Sequence, residues 1–480
     1  MIESREDPES TEEEREMEWN PTWEDPLTSN VKQFDGLMGD QRTRKTFGEV
    51  VKGILAAGSL ICQQIAARSA ELSRGKKGSQ RVIRLATGES TQRSELDAEH
   101  LTQRLREVAV EQLAQAPEDE LWLIGDSSDL RKPYAEVMPY LMPVRDLDDQ
   151  LVPGYRTLNV LGLTPGRRGL LYHRLISSQA PDFVSEPAEV QQALSTVSQA
   201  IAPLKGHKTV TWLLDSGFDD VAVWRTIWEQ DEHVVVRLYH TERTIAFQDR
   251  AGEWHEGDVA QATTQLRPLA RVETSLRVKR GKQARPKQQP VPVELSACPV
   301  RVSYWSNVRR PGDKGQLLTK EVWLVQVRVL GVDWEPWLLL TDWPVTDAHS
   351  ATRIFGMYRQ RWSVEDAFKF LKTALGWEQV QLLDWRGIRT LLALGWVAAG
   401  FLFDLGVSFE WAEVQLIARL GGFEPHKDRV PGKLTLQRGL SRLLEMLTTQ
   451  AFLSDYAAHH QGLPPRIAAL LHGWQPPGEL

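Results

Sequence analysis

Cysteine is scarce in this sequence, which has only Cys62 and Cys298 among 480 residues. Two cysteines cannot build the disulfide framework of a small secreted domain. They also cannot supply the four thiolates of a zinc site made of cysteine alone. We therefore expect a protein of the reducing cytoplasm.

Long hydrophobic runs are missing as well. The longest uncharged apolar run near the C-terminus, Thr390 to Phe403, has 14 residues, which is shorter than the roughly 20 residues that cross a bilayer as a helix. The first residues are acidic and contain no apolar segment of the kind that forms the centre of a signal peptide. The sequence therefore predicts no membrane partner.

An excess of positive charge, which is typical of proteins that bind nucleic acids, is absent from the chain as a whole. The sequence has 57 basic and 64 acidic residues and a net charge of −7. The first 26 residues carry a net charge of −9, so residues 27–480 sum to +2, and the segment Arg267–Lys320 alone carries +10. The net charge averages an acidic leader and a basic segment, and it does not exclude a DNA partner.

The order of predicted elements indicates an α/β fold. Apolar residues at helical spacing dominate residues 31–115, after which short strand-like runs alternate with helices. Three strands, a helix, a strand, a helix and a strand are predicted at Leu121–Gly125, Arg156–Leu163, Gly169–Ser177, Glu189–Ile201, Thr209–Leu214, Asp220–Gln230 and Val234–Leu238. This order is that of a ribonuclease-H-like mixed sheet.

The remaining patterns divide the chain into regions. Residues 1–30 are an acidic leader, and residues 31–115 form a helical domain. The ribonuclease-H-like domain takes residues 116–240 and 345–390, and a strand-rich insertion takes residues 241–344. The insertion is inferred because the 150-residue gap between Asp215 and Glu365 is too long for a ribonuclease-H-like core alone. Residues 391–480 are again helical.

Two aspartates follow predicted buried strands. Asp126 follows the first strand and Asp215 the fourth. Strands one and four are neighbours in this layout, so the two carboxylates would meet at one sheet edge. Paired carboxylates suit hard divalent cations, which take oxygen ligands. The alternative is that each aspartate only begins a turn after its strand.

The predicted helix Ala351–Ala374 carries a polar stripe of Tyr358, Arg361, Glu365 and Lys372. At 100° per residue these four side chains fall on one narrow strip beside the apolar face. A charged row at the margin of a core is costly unless metal, phosphate or a partner charge compensates it. The alternative is a surface helix with salt bridges four residues apart.

The stripe resembles the Tyr-x2-Arg-x3-Glu-x6-Lys signature of DDE transposases from bacterial insertion sequences, in the cut-and-paste subgroup. Three further segments resemble this family in the same order along the chain. They are Asp126-Ser-Ser-Asp129-Leu-Arg-Lys132-Pro133-Tyr134, Asp215-Ser216-Gly217-Phe218-Asp219, and Trp337-Leu-Leu-Leu-Thr341 with Pro344-Val345 beyond it. Ser216 departs from the family, whose members often have arginine there, and a DNA contact is lost if that arginine provides one.

The resemblance implies that Asp126, Asp215 and Glu365 are a catalytic triad that holds two Mg²⁺ ions, for which Mn²⁺ can substitute. Arg361 and Lys372 are cations on the same stripe and are not part of the carboxylate triad. They would bind the phosphates that flank the cleaved bond. Tyr358 would hydrogen-bond a phosphate or position the DNA end.

The resemblance also implies cleavage through a DNA hairpin, followed by joining to target DNA. A hairpin forces a base out of the stack, and an aromatic surface must receive it. Trp337 and Trp362 are the candidates, with core packing as the alternative for each. The resemblance further implies a homodimer on double-stranded DNA, with residues 31–115 reading the terminal inverted repeats and residues 391–480 supporting dimerisation.

A basic cluster in the insertion is a candidate contact to the DNA backbone. It consists of Arg277, Lys279, Arg280, Lys282, Arg285 and Lys287, with no acidic residue among them. A solvated loop is the alternative. For the whole protein, two other functions stay open, a domesticated DNA-binding relative that no longer cuts and a glycoside hydrolase. The hydrolase would account for the paired carboxylates and for 18 tryptophans, but not for the basic residues of the stripe.

Overall fold

Helices precede the first strand in the computed structural model, which describes residues 25–73, 77–88, 95–278, 287–306, 315–424, 430–460 and 462–471. They are α1 (Pro26–Lys32), α2 (Gln41–Ala57), α3 (Cys62–Ala67), α4 (Ala70–Ser73), α5 (Gly78–Thr87) and α6 (Ala98–Ala114). In α2, the apolar residues spaced three and four apart are fully buried. Asp40 caps the start of α2 by accepting a hydrogen bond from Thr43 N, and Gly58, at φ +57°, ends it.

A mixed sheet forms the centre of the molecule. Its first strands are β1 (Glu120–Arg131), β2 (Met142–Arg145), β3 (Leu151–Thr164), β4 (Arg167–Ile176), β5 (Thr209–Leu214) and β6 (His233–Arg237). The order β4-β3-β1-β5-β6, with β1, β5 and β6 parallel and β3 and β4 antiparallel to their neighbours, is ribonuclease-H-like. The predicted fold class is therefore confirmed.

The strands of residues 241–344 continue this sheet. They are β7 (Thr244–Gln248), β8 (Trp254–Asp258), β9 (Arg267–Val278), β10 (Lys287–Trp305), β11 (Leu317–Val329) and β12 (Trp337–Thr341), with the short helix α9 (Val259–Thr263) between β8 and β9. β12 pairs antiparallel with β6, and β11 and β10 follow it across the sheet. The insertion thus extends the central sheet beyond β6.

Helices cover both faces of the sheet. On one face α7 (Glu186–Ala200) and α8 (Val221–Glu229) pack on β3, β4 and β6. On the other face lie α10 (Ala348–Arg359), α11 (Trp362–Ala374) and α12 (Trp385–Ser408). The prediction of a single helix at Ala351–Ala374 is wrong in one respect. Two helices cover this segment, because α10 ends and α11 begins around Gln360 and Arg361. There the backbone bonds connect residues three apart, as in Arg361 N to Tyr358 O and Val364 N to Arg361 O.

The C-terminal helices follow α12 as α13 (Trp411–Leu420), α14 (Lys433–His460) and α15 (Pro465–Leu470). Helix α12 contains the apolar run predicted from sequence. It is long and apolar enough to cross a membrane, but 72% of its most apolar stretch is buried inside the fold. It contacts α2, α5, α6 and β4, which is the environment of a core helix.

Candidate active site

Asp126 and Asp215 lie at the same edge of the sheet. The parallel register of β1 and β5 ends at Gly125 opposite Leu214, so the two aspartates are the next residues on neighbouring strands. The prediction that β1 stops at Asp126 is wrong. The strand continues to Arg131 because its other side stays paired with β3, as far as Arg131 opposite Gly154. The first carboxylate is therefore held inside a strand rather than on a turn.

Asp126 is buried, with only 7% of its surface exposed. Its Oδ1 accepts a hydrogen bond from Ser127 N at 2.8 Å, and its Oδ2 lies 3.5 Å from Arg361 Nη1. Burial, with added repulsion from Asp215 and Glu365, raises the pKa of Asp126 to about 7 although Arg361 opposes this shift. The buried carboxylate of Asp126 therefore feels the negative charge of both Asp215 and Glu365.

Asp215 is half-buried at the start of a 3₁₀ turn, Ser216–Phe218, where its Oδ1 accepts a hydrogen bond from Gly217 N at 2.9 Å. From its position just before the predicted helix Asp220–Gln230, Asp219 is a candidate cap for that helix, but it does not cap it. Asp220 does so, accepting from Ala222 N. The buried Asp219 instead accepts hydrogen bonds from Tyr239 N and His240 N and pairs with Arg243 at 2.6 Å, because a buried carboxylate needs this many partners.

Arg361 connects the signature helices to the triad. It is buried at the start of α11, where its guanidinium lies between Asp126 and the half-exposed carboxylate of Glu365. Burial disfavours its charge, but Tyr358, Glu365 and Asp126 together raise the pKa of Arg361. Tyr358 is buried next to it, and burial raises the pKa of Tyr358 to about 12. Arg361 thus links two other stripe residues, Tyr358 and Glu365, to Asp126.

Lys372 lies further along α11 and does not contact the triad. Its Nζ donates to Asp129 O at 2.6 Å and lies 3.7 Å from Glu378 Oε1, and burial lowers the pKa of Lys372. Arg131 Nε donates to the same Glu378 carboxylate at 2.9 Å. Sequence reasoning missed Glu378, which follows the stripe without a recognisable spacing. It quoted Arg131 only as part of the first aspartate motif.

Trp337 and Trp362 form an aromatic cluster behind Arg361. Trp337 is 9% exposed, and its ring meets Trp362 edge to face at a centroid distance of 5.5 Å. Phe355 and Tyr358 lie on its other sides, each at 6.3 Å. The cluster packs the junction of α10 and α11 against β12, and this packing holds Arg361 in place.

The basic cluster of the insertion is only partly within the described residues. Arg277 belongs to β9, where its backbone pairs with Gln288 of β10. Lys279, Arg280, Lys282 and Arg285 lie outside the described residues, as do the side chains of Arg277 and Lys287. Their predicted contact with the DNA backbone stays a prediction.

Divalent cations fit the donors at the triad. Asp126, Asp215 and Glu365 supply only carboxylate oxygens, the ligands that Mg²⁺ prefers. A bound cation would offset the burial and the repulsion that together raise the pKa of Asp126. Elsewhere in the described chain, donor atoms of Asp249, Glu253 and His255 lie within 4.8 Å of one another. That group is accounted for by a hairpin turn, because Asp249 accepts hydrogen bonds from Ala251 N and Glu253 N.

Both cysteines are free and buried. Burial raises the pKa of Cys62 to about 11 and that of Cys298 to about 12, so neither thiol is a nucleophile at neutral pH.

Comparison with known proteins gives one family match. Residues 184–399 match the family model of the transposase DDE domain. This span contains Asp215 and Glu365, whereas Asp126 precedes it and is placed beside them by the fold. The cryo-EM structure of a piggyBac transposase synaptic complex with hairpin DNA is similar at a TM-score of 0.45, with 11% identity over 95% of this chain and 84% of that one. No curated protein matches the sequence significantly.

Proposed function

We propose, from the transposase DDE domain that the family model matches, that this protein is a DNA transposase. It would bind the terminal inverted repeats of its element, cleave the ends by metal-dependent phosphoryl transfer and join them to target DNA. The observation that carries the proposal is that Asp126 and Asp215 lie at one sheet edge, where Arg361 of α11 contacts both Asp126 and Glu365. Asp215 and Glu365 lie inside the matched span.

The three carboxylates would hold two Mg²⁺ ions, or Mn²⁺ in their place. When bound, such cations activate an oxygen nucleophile and stabilise the leaving 3′-oxygen. The protein's own contribution is to fix the ligands in space. The paired backbone of β1 positions Asp126, the 3₁₀ turn positions Asp215 and the first turn of α11 positions Glu365.

Arg361, Lys372 and Tyr358 would handle the DNA phosphates. Arg361 presents a planar fork of N–H donors that matches a phosphate as well as it matches Asp126 and Glu365. With those carboxylates serving as cation ligands, the guanidinium of Arg361 would be available to bind the phosphate beside the cleaved bond. Lys372, two helical turns beyond Glu365, would bind a phosphate further along the strand.

The cut would pass through a hairpin at the element's end, and Trp337 would receive the displaced base, with Trp362 beside it. This role requires the aromatic cluster to open, because Trp337 is nearly covered by its neighbours. The arrangement next to Arg361 supports the assignment, since an extruded base must remain close to its own phosphate.

The helical ends of the chain would provide DNA recognition and dimerisation. Helix α2 exposes Arg42, Arg44 and Lys45 in its first turns, which supports reading of terminal repeats by residues 31–115. Helix α14 exposes the apolar side chains of Met446, Leu447 and Phe452, which supports a homodimer contact in residues 391–480. The DNA substrate would be chromosomal or plasmid DNA in a bacterial cytoplasm.

The experiment that tests the proposal uses DNA with the inverted repeats that flank the gene. Asp126→Asn, Asp215→Asn and Glu365→Gln should each abolish Mg²⁺-dependent cleavage and strand transfer while leaving binding to the ends intact. Asp220→Asn, which changes an exposed helix cap, is the matched control and should cut normally. Full cutting by any of the three triad variants contradicts the assignment. A wild-type protein that binds the ends but never cuts them would be the domesticated relative.

The glycoside hydrolase alternative finds no support at the triad. Aromatic side chains that bind sugars expose one face of the ring to solvent. In this protein four tryptophans are fully buried, namely Trp212, Trp224, Trp377 and Trp396. The tryptophans next to the triad are packed in the aromatic cluster. The arginine between the carboxylates also suits a phosphate rather than a neutral sugar.

A further inference from the structure

A surface pocket of about 510 Å³ lies beyond the triad, between the loop that follows β1 and the segment that follows α11. Three apolar side chains that line it are largely exposed, Tyr134 at 96%, Val137 at 77% and Leu383 at 72%. Its volume is within the roughly 300–1,000 Å³ range of pockets that enclose small ligands. Apolar side chains exposed together around a cavity indicate a binding surface.

The pocket is pre-formed. Lys132 ties its two walls together, since its buried Nζ donates to Glu378 O at 2.6 Å and to Val380 O at 2.5 Å. At the other end of the loop, Tyr155 Oη donates to Pro139 O at 2.6 Å, and Ser177 Oγ donates to Tyr140 O at 2.5 Å. The exposed ring of Tyr134 is therefore presented by a loop that is anchored on both sides.

A path of cations connects the pocket to the triad. Strand β1 runs directly from Asp126 to Arg131, a distance of about 16 Å at the rise of a strand, and Arg131 lines the pocket. Lys372 follows Glu365 on α11 and shares the carboxylate of Glu378 with Arg131. A DNA strand whose phosphates follow these cations brings its bases to the pocket.

The lining suits a base better than a phosphate. Glu136 and Glu378 are both part of it, and their negative charge disfavours an anion inside the cavity. Carboxylates accept hydrogen bonds from the amino groups of bases, and an exposed tyrosine ring offers a stacking face.

We propose that this pocket receives one unpaired nucleobase of the bound DNA, stacked on Tyr134. The proposal rests on the proposed function, because it needs DNA at the triad. It concerns a different aromatic residue from Trp337, which is enclosed in its cluster, whereas Tyr134 is free to stack without rearrangement.

The first measurement compares two short duplexes of one sequence, one fully paired and one with a single base opposite an abasic site. Wild-type protein should bind the duplex with the unpaired base about tenfold more tightly. Tyr134→Ala should lose this preference, and Tyr134→Trp should keep it because the stacking face remains. Tyr239→Ala removes another exposed tyrosine away from the pocket, so it serves as the matched control and should behave as wild type.

The second measurement replaces the unpaired base with 5-iodouracil and maps the photo-crosslink by mass spectrometry. A crosslink to Tyr134 supports the proposal. A preference retained by Tyr134→Ala, or a crosslink elsewhere, overturns it. A Tyr134→Ala variant that changes only the sedimentation of the protein also overturns it, because the surface would then contact a second copy of the chain. Normal triad-dependent cleavage in any of these cases leaves the proposed function standing, so the two failures are distinguishable.

Discussion

Arg361 and Asp126 set the electrostatics of the site at the scale of single residues. Asp126 is buried and faces two other carboxylates, so its pKa rises to about 7. Arg361 donates to Asp126 and Glu365 but does not cancel this repulsion. A cation at the carboxylates therefore relieves a strain that the arginine relieves only in part, and this strain is the physical reason to expect metal affinity there.

The raised pKa predicts that Asp126→Asn stabilises the protein. An aspartate whose pKa is 3.8 when unfolded and about 7 when folded keeps its proton longer in the folded state. The wild type therefore loses stability as the pH rises from about 4 to about 7. Asparagine removes this loss, so the free energy of unfolding at pH 8 should increase by about 1–3 kcal/mol.

Urea unfolding at pH 4 and pH 8 measures this effect. The variant and the wild type should differ little at pH 4, because Asp126 is protonated in the folded wild type there and resembles the neutral asparagine. Adding Mg²⁺ at pH 8 should stabilise the wild type alone. A variant that is less stable than the wild type at pH 8 would mean that the bond to Arg361 outweighs the crowding of the carboxylates.

At the scale of elements, strand order could be predicted from the sequence and the break in the signature helix could not. The order of the predicted elements matched a ribonuclease-H-like layout, and in that layout β1 lies beside β5 and Asp126 beside Asp215. Helical periodicity gave one helix through Arg361, but backbone hydrogen bonds between residues three apart interrupt the α-helix there. At this break Arg361 contacts Asp126, which is 235 residues away in the chain, and no local pattern encodes such a contact.

The pairing of β12 with β6 and the position of Glu378 could not be predicted from the sequence either. Both depend on contacts between distant segments, and neither has a local pattern. The tryptophans near the triad could be identified from sequence, but their burial could not, because stacking surfaces and core aromatics have the same composition. Tyr134 lay within the motif recognised from sequence, and only the structure shows that its ring is exposed.

The segment after α11 yields a prediction about DNA affinity. Glu378 forms ion pairs with Arg131 and Lys372 in this structure, as a DNA phosphate would. Glu378→Gln removes the competing charge, so affinity for double-stranded DNA should rise about three- to tenfold at low salt. The plot of the logarithm of the binding constant against the logarithm of the salt concentration should become steeper by about one unit of slope. Glu256→Gln, an exposed glutamate on β8, makes the same change in net charge elsewhere.

Titration of a labelled duplex over a range of salt concentrations decides this prediction. Equal gains in both variants would assign the effect to net charge alone. A loss of affinity in Glu378→Gln would show that the glutamate positions the two cations for DNA instead of competing for them.

At the scale of the whole molecule, the net charge of −7 conceals a protein that is close to neutral outside its first residues. Residues 1–24 carry −8, so a chain that begins at Asp25 has a net charge of +1. The structure also indicates where the acidic leader can be removed without damage to the first helix. Asp25 caps α1 by accepting a hydrogen bond from Leu27 N, and Leu27 and Val31 are buried against the body. A cut after residue 26 would remove this cap.

Removal of residues 1–24 should raise the affinity for DNA at low salt, because the acidic leader would repel the phosphates that the basic segment Arg267–Lys320 is proposed to attract. The gain should vanish near physiological salt, where charges about 8 Å apart are screened. Replacing the leader's acidic residues with glutamine and asparagine should reproduce the gain without shortening the chain. If truncation raises affinity and this neutral leader does not, the leader acts by occupying space rather than by its charge. If neither changes the affinity, the acidic leader does not compete with DNA.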